Sequence, residues 1–217
     1  MLRLLQVEEL ERLMLELPGL VSLQERRAAD FPARADRWML SLEEALTANR
    51  LYQAGLVAGI RSTLTVTDQG QIPPGLEYRG RPTRQRVMAS VASAALQRSA
   101  EVAAGVIGDN RPRLDEGERL VQQLVAALRS QGLQARPEGL DNESYLRMLR
   151  RGMAQNAEIE SVLVHLEGLV GPQDALVLLD RALAATEPHV VEPPPKKPAR
   201  RATLKGQGPR LAGGAPR

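Results

Sequence analysis

Apolar residues recur at helical spacing along most of the chain. Leu2, Leu5, Leu10, Leu13, Met14 and Leu17 share one side of a helix that Pro18-Gly19 ends, and a shorter helical stretch covers Val21 to Ala29. Pro32 suits the first turn of a longer helix, because its missing N–H has no intrahelical partner there. From Trp38, the series Leu42, Ala45, Leu46, Asn49, Tyr52, Leu56, Ile60 and Leu64 keeps a helical period without interruption, predicting one continuous element. Ala54, Gly55, Ala58 and Gly59 place small residues one turn apart on it. That spacing predicts a notch at which a second helix crosses closely.

The period fails between Ser62 and Arg86. Thr63, Thr65, Val66 and Thr67, then Asp68-Gln69-Gly70-Gln71, then Leu76 to Tyr78 read as a short β-hairpin or an irregular excursion near 62–81, with Pro73-Pro74-Gly75 breaking its second arm. A second long helix is expected from Pro82 to Ile107, crossing at the Gly55/Gly59 notch and stopped by Gly108-Asp109-Asn110. Leu114 to Gln131 gives another amphipathic helix. Asp141 or Asn142 caps a further one through Tyr145, Leu149, Met153, Ile159, Leu163 and Leu166 to Gly171, and Pro172 opens the last, with Ala175, Leu176, Leu179 and Leu183. Short connections make these final elements antiparallel neighbours. The predicted fold is mainly α: a compact multi-helix bundle over 1–187, followed by a Pro/Gly-rich, basic, disordered tail over 188–217.

Composition adds three constraints. Only five of 217 residues are aromatic, so the core draws on Leu, Val, Ile, Met and Ala, which suits closely packed helices. With no cysteine, thiolate nucleophiles, disulfides, sulfur-ligated zinc and iron–sulfur clusters are excluded. Glu8, Glu9, Glu11, Arg12 and Glu16 interrupt any signal-like apolar run, and no stretch is apolar enough to span a bilayer, which together predict a cytoplasmic protein without a membrane span. The formal charge is +3 but uneven. The tail carries seven lysines and arginines against the single acid Glu192, which leaves the preceding residues net negative.

Candidate chemistry is sparse. Of two histidines, His189 lies in the tail, and His165, between Val164 and Leu166, reads as a partly buried structural residue. Glu167 points to a different helical face from His165, so no metal set converges. The acids around Glu8 to Glu11 and Asp115 to Glu118 read as solvated helix faces. No glycine-rich phosphate loop is present, and no cofactor is expected.

Two basic features remain. Arg79, Arg81, Arg84 and Arg86 fall close together with no acid among them, at the start of a helix whose free N–H groups attract anions. In the tail, Lys196, Lys197, Arg200, Arg201, Lys205 and Arg210 can each contact phosphate without folding. Arg147, Arg150 and Arg151 would extend such a surface only if their helix faces the same way. These features suggest a non-enzymatic helical interaction or assembly protein that binds a protein partner or itself, while its tail contacts a polyanion. The alternative is a nucleic-acid-binding or chromosome-associated factor using the tail and the Arg79–Arg86 segment.

Overall fold

The computed structural model describes residues 2–71, 83–130, 132 and 139–185. Among the described residues there are eight α-helices and no strand. They are α1 (Leu4–Met14), α2 (Leu17–Glu25), α3 (Phe31–Ala48), α4 (Gln53–Asp68), α5 (Arg84–Ser130), α6 (Asn142–Met153), α7 (Ala157–Val170) and α8 (Pro172–Ala184). The mainly α bundle read from the sequence is correct. The predicted tail, 188–217, lies outside the described residues.

Helix α5 organises the rest. Its first half packs against α3 and α4, and its second half against α7 and α8, while α1 lies across its middle. At 47 residues it runs straight through Gly108-Asp109-Asn110, where the sequence predicted a stop, and it contains Pro112. A proline inside a helix removes one hydrogen bond, here to the carbonyl of Gly108. Gly108 and Pro112 are both exposed, so water can reach that carbonyl. The clamp comes from one bond within α5 and three to other parts of the chain. Asn110 donates Nδ2–H to the Val106 carbonyl at 2.8 Å and accepts the Leu2 N–H at 3.2 Å. Arg113 donates to the Leu2 carbonyl at 2.5 Å and to the Leu169 carbonyl at 3.2 Å. These tertiary bonds hold a stretch whose own propensity would end the helix.

Elsewhere the chain breaks where periodicity showed none. The predicted continuous helix from Trp38 to Leu64 is two helices, because Arg50 adopts the left-handed conformation (φ 56°). The Leu51 N–H reaches back to the Leu46 carbonyl at 3.0 Å and the Arg50 N–H to Thr47 at 2.9 Å, closing α3 with a Schellman motif. The same motif ends α2 at Arg27 (φ 55°) and α4 at Gly70 (φ 89°). For arginine this conformation costs about 1–2 kcal/mol, and glycine's greater chain entropy returns only part of it. Arg50→Gly is therefore expected to stabilise the fold by about 0.5–1 kcal/mol, raising Tm by about 2 °C in a thermal melt. An unchanged or lower Tm would refute the argument.

Four further expectations need correction. The first arm of the proposed hairpin is helical: α4 continues to Asp68, with Leu64 and Thr67 buried and the hydroxyls of Thr63 and Thr67 donating to carbonyls one turn back, at 2.7 Å each. The second arm, Leu76 to Tyr78, lies outside the described residues. Gly55 and Gly59 form no notch. Both are exposed, a Cβ at either would meet nothing within 4 Å, and α4 packs inward through Val57, Ile60 and Leu64 instead. The helix read from Asp141 to Gly171 divides at Asn156, whose side chain accepts from the Glu158 N–H and caps α7. From α7 to α8 the chain turns through 116°, so these two do not run antiparallel.

The capping reading at the start of α6 is correct, as the Asp141 carboxylate accepts the Ser144 N–H at 2.9 Å. In α1 the buried side is Leu4, Val7, Leu10 and Leu13, while Leu5 points outward. The helix also stops at Met14, so Pro18 enters the first turn of α2 and does not end α1. Leu13 is tied to α3 by Trp38, whose buried indole N–H donates to its carbonyl at 2.8 Å. Among the described residues, no single helix is long and apolar enough to cross a membrane.

Candidate anion-binding groove

The Schellman turn at Arg27 ends α2 just before Phe31 opens α3, and the first turn of α5 lies alongside. Between them runs an open groove of about 550 Å³, lined by Gln24, Arg27, Phe31, Thr83, Arg86 and Ser90 among others. Gln24 spans from α2 to α5, donating Nε2–H to the Ser93 hydroxyl at 2.7 Å. The Thr83 hydroxyl accepts the Arg86 N–H at 3.3 Å, a cap that orients the start of α5. No acid occupies the first turn of α5, and among the described residues none lines the groove.

The two guanidiniums in this groove, Arg27 and Arg86, have no acidic partner among the described residues. The nearby Asp30 is committed to Arg34, with Nε and Oδ2 2.6 Å apart, and that hydrogen bond holds the Asp30 carboxyl below its ordinary range. Arg84 differs from Arg86. It bonds the Asp68 carboxylate at 2.6 Å and the Asp68 carbonyl at 2.8 Å, which closes α4 onto α5. It borders a second groove, of about 730 Å³, where Asp36 and Asp68 supply negative charge.

Of the other predicted contacts, Arg79 and Arg81 lie outside the described residues, as do Lys196, Lys197, Arg200, Arg201, Lys205 and Arg210. Arg147 pairs with Glu143 in its own helix, and Arg150 reaches Glu167 of α7 at 2.8 Å, so neither extends the groove. His165 is exposed on α7, contrary to its reading as a partly buried residue, because the buried side of that helix runs through Leu163 and Leu166. Arg27 and Gln24 were not singled out in the sequence. Nothing near them in the chain marks them, and only the fold brings them beside Arg86.

The acids around Glu8 and Glu118 do structural work where α1 meets α5 and α8. Arg111 reaches Asp115 at 2.6 Å, Glu11 at 3.2 Å and Glu118 at 3.4 Å, linking α1 to α5. Glu8 pairs with Arg181 of α8, and the hydrogen bond from that guanidinium holds the Glu8 carboxyl below its ordinary range. Such partly exposed pairs are worth little singly and mainly fix which faces meet. Among the described residues no group of three His, Asp or Glu side chains is placed to hold a metal ion.

The chain matches no protein-family model, no curated protein and no solved structure.

Proposed function

We propose that this protein acts by contact, as a helical interaction or assembly module that self-associates through α4 and reaches a polyanionic partner through its basic tail. The observation behind this reading is the outer face of α4. Tyr52 is 79% exposed and Leu56, one turn on, is 50% exposed. Gly55 and Gly59 between and beyond them leave the backbone accessible. Apolar side chains beside open glycines form a strip onto which a second α4 can lie, and the cytosol is the expected setting. Sedimentation velocity over a concentration series tests it. The wild-type coefficient should rise with concentration, and Tyr52→Glu with Leu56→Glu, both at exposed positions, should remain monomeric without loss of helical content. A wild type that stays monomeric throughout, or variants that associate equally well, would reject self-association.

A second reading, a nucleic-acid-binding factor, is favoured by one observation: Arg86 belongs to a groove with Arg27 and no acid. In this reading the groove and the Arg79–Arg86 segment supplement the tail, and most of the affinity is electrostatic and salt-sensitive.

A further inference from the structure

We infer that the groove between α2 and the start of α5 grips the phosphodiester backbone of a nucleic acid, with Arg27 and Arg86 as its two phosphate contacts. This deepens the nucleic-acid reading and rests on it for the class of partner.

Three features of the groove agree. Its charge is uncompensated, since both guanidiniums come from different elements, lack acidic partners among the described residues and face a lining without carboxylates. Two other grooves differ, and a third, between α5 and α8, has no acid among its described lining residues but a single arginine, Arg129. The neighbouring one holds Asp36 and Asp68 beside an already paired Arg84, and the one between α1 and α3 is lined by Glu9, Glu16 and Glu44. Second, the polar side chains that line the groove beside the two arginines are neutral hydrogen-bonding groups. Gln24, Thr83 and Ser90 can share phosphate oxygens with the arginines, a common pattern in backbone recognition. Third, the single aromatic among the described lining residues, Phe31, is 1% exposed and serves as floor, so none of these residues offers a ring to stack on a base. A site with two cations, neutral donors and no stacking platform suits the repeating phosphate and not the base, so contact there is independent of sequence.

The test uses the full chain and fluorescence anisotropy of labelled duplex DNA over a salt series. Four proteins are compared: wild type; Arg27→Gln with Arg86→Gln; Arg37→Gln with Arg98→Gln, which removes the same charge from exposed positions outside the groove; and a tail variant with Lys196, Lys197, Arg200, Arg201, Lys205 and Arg210 changed to Gln. Losing two phosphate contacts should weaken binding several-fold at low salt and lower the slope of log K against log salt by about 2. Thermal melts of the groove variant should match the wild type, since both positions are exposed. The Arg37/Arg98 variant should keep nearly the full slope.

If the groove variant binds like the wild type while the tail variant fails, the groove assignment falls and the tail reading stands. If the groove variant fails while the tail variant binds normally, the reverse holds. Equal losses from the groove and the Arg37/Arg98 variants would mean generic charge and overturn the site. Displacement of the DNA by polyglutamate at matched charge concentration would overturn the phosphodiester assignment. A wild type that binds no DNA would overturn both the site and the nucleic-acid reading.

Discussion

Replacing Gly117 with valine is expected to cost the fold about 3 kcal/mol, the upper end of what overpacking a helix crossing brings. Gly117 is buried in α5 where α7 and α8 converge on it. A Cβ there would lie 2.6 Å from Val170 Cγ1 and 3.3 Å from Leu178 Cδ1, with Leu166 Cδ1 at 3.7 Å. The first distance is well inside van der Waals contact, and Val170, stiff at χ1, can turn its methyl away only into a less favoured rotamer or with a shift of α7. Alanine at this position gains about 0.5–1 kcal/mol of helix propensity against an overpacking penalty of about 1–3 kcal/mol, for a net loss near 1 kcal/mol. Valine adds two methyl groups to the clash and loses the propensity gain. Gly105→Ala is the control. It lies in the same helix, a Cβ there meets nothing within 4 Å, and it should stabilise by about 0.5–1 kcal/mol. Urea denaturation followed by circular dichroism gives all three values. A Gly117→Val protein within about 0.5 kcal/mol of wild type would show that the crossing is looser than its geometry implies.

Trp38→Ala should be comparably severe, losing about 3–5 kcal/mol. Trp38 is 3% exposed, the largest side chain on α3, and it holds α1 as well as filling the core, through its bond to the Leu13 carbonyl. Trp38→Phe separates the two contributions. It keeps most of the apolar contact and removes the donor. The Leu13 carbonyl still accepts the Glu16 N–H at 3.1 Å, so it is not left orphaned and the loss should be only about 1 kcal/mol. The measurement again relies on circular dichroism, since Trp38 is the single tryptophan of the chain. If the phenylalanine variant were as unstable as the alanine one, the hydrogen bond and not the packing would dominate.

These two residues also mark what the sequence could and could not say. Trp38 was legible as a core position from helical spacing alone, because burial of an apolar stripe is a property of one element. The crossing at Gly117 was not, and the small-residue pattern pointed to Gly55 and Gly59, which are open. Whether a glycine accepts a neighbour depends on which face tertiary packing turns inward, and the sequence is silent on that. Breaks failed for a related reason. Arg50 ends α3 without a glycine or proline to announce it, and Asn156 opens α7 where the apolar period runs on, whereas Gly108-Asp109-Asn110 and Pro112 lie in a helix that distant bonds from Asn110 and Arg113 keep intact. Thr63 to Thr67 carry high strand propensity, but their hydroxyls bond within α4 and Leu64 and Thr67 are needed in the core. The groove was half legible. Arg86 stood out by local charge density, while Arg27 joins it only through folding and shows no sign of doing so in its own neighbourhood.

The bonds that anchor α1 set an order of events for a chain being made. The Leu4 N–H is capped by the buried carboxylate of Asp174 at 2.8 Å, across a separation of 170 residues, and Glu8 meets Arg181 across 173. At ribosomal speeds, on the order of ten to thirty seconds pass between synthesis of the first of these residues and the second. Through that interval α1 is available to α3, by way of Leu13 and Trp38, but its leading end has no acceptor. Helix α1 is thus made long before α8 yet is fully seated only after it, and their docking registers that the chain has been read through to α8.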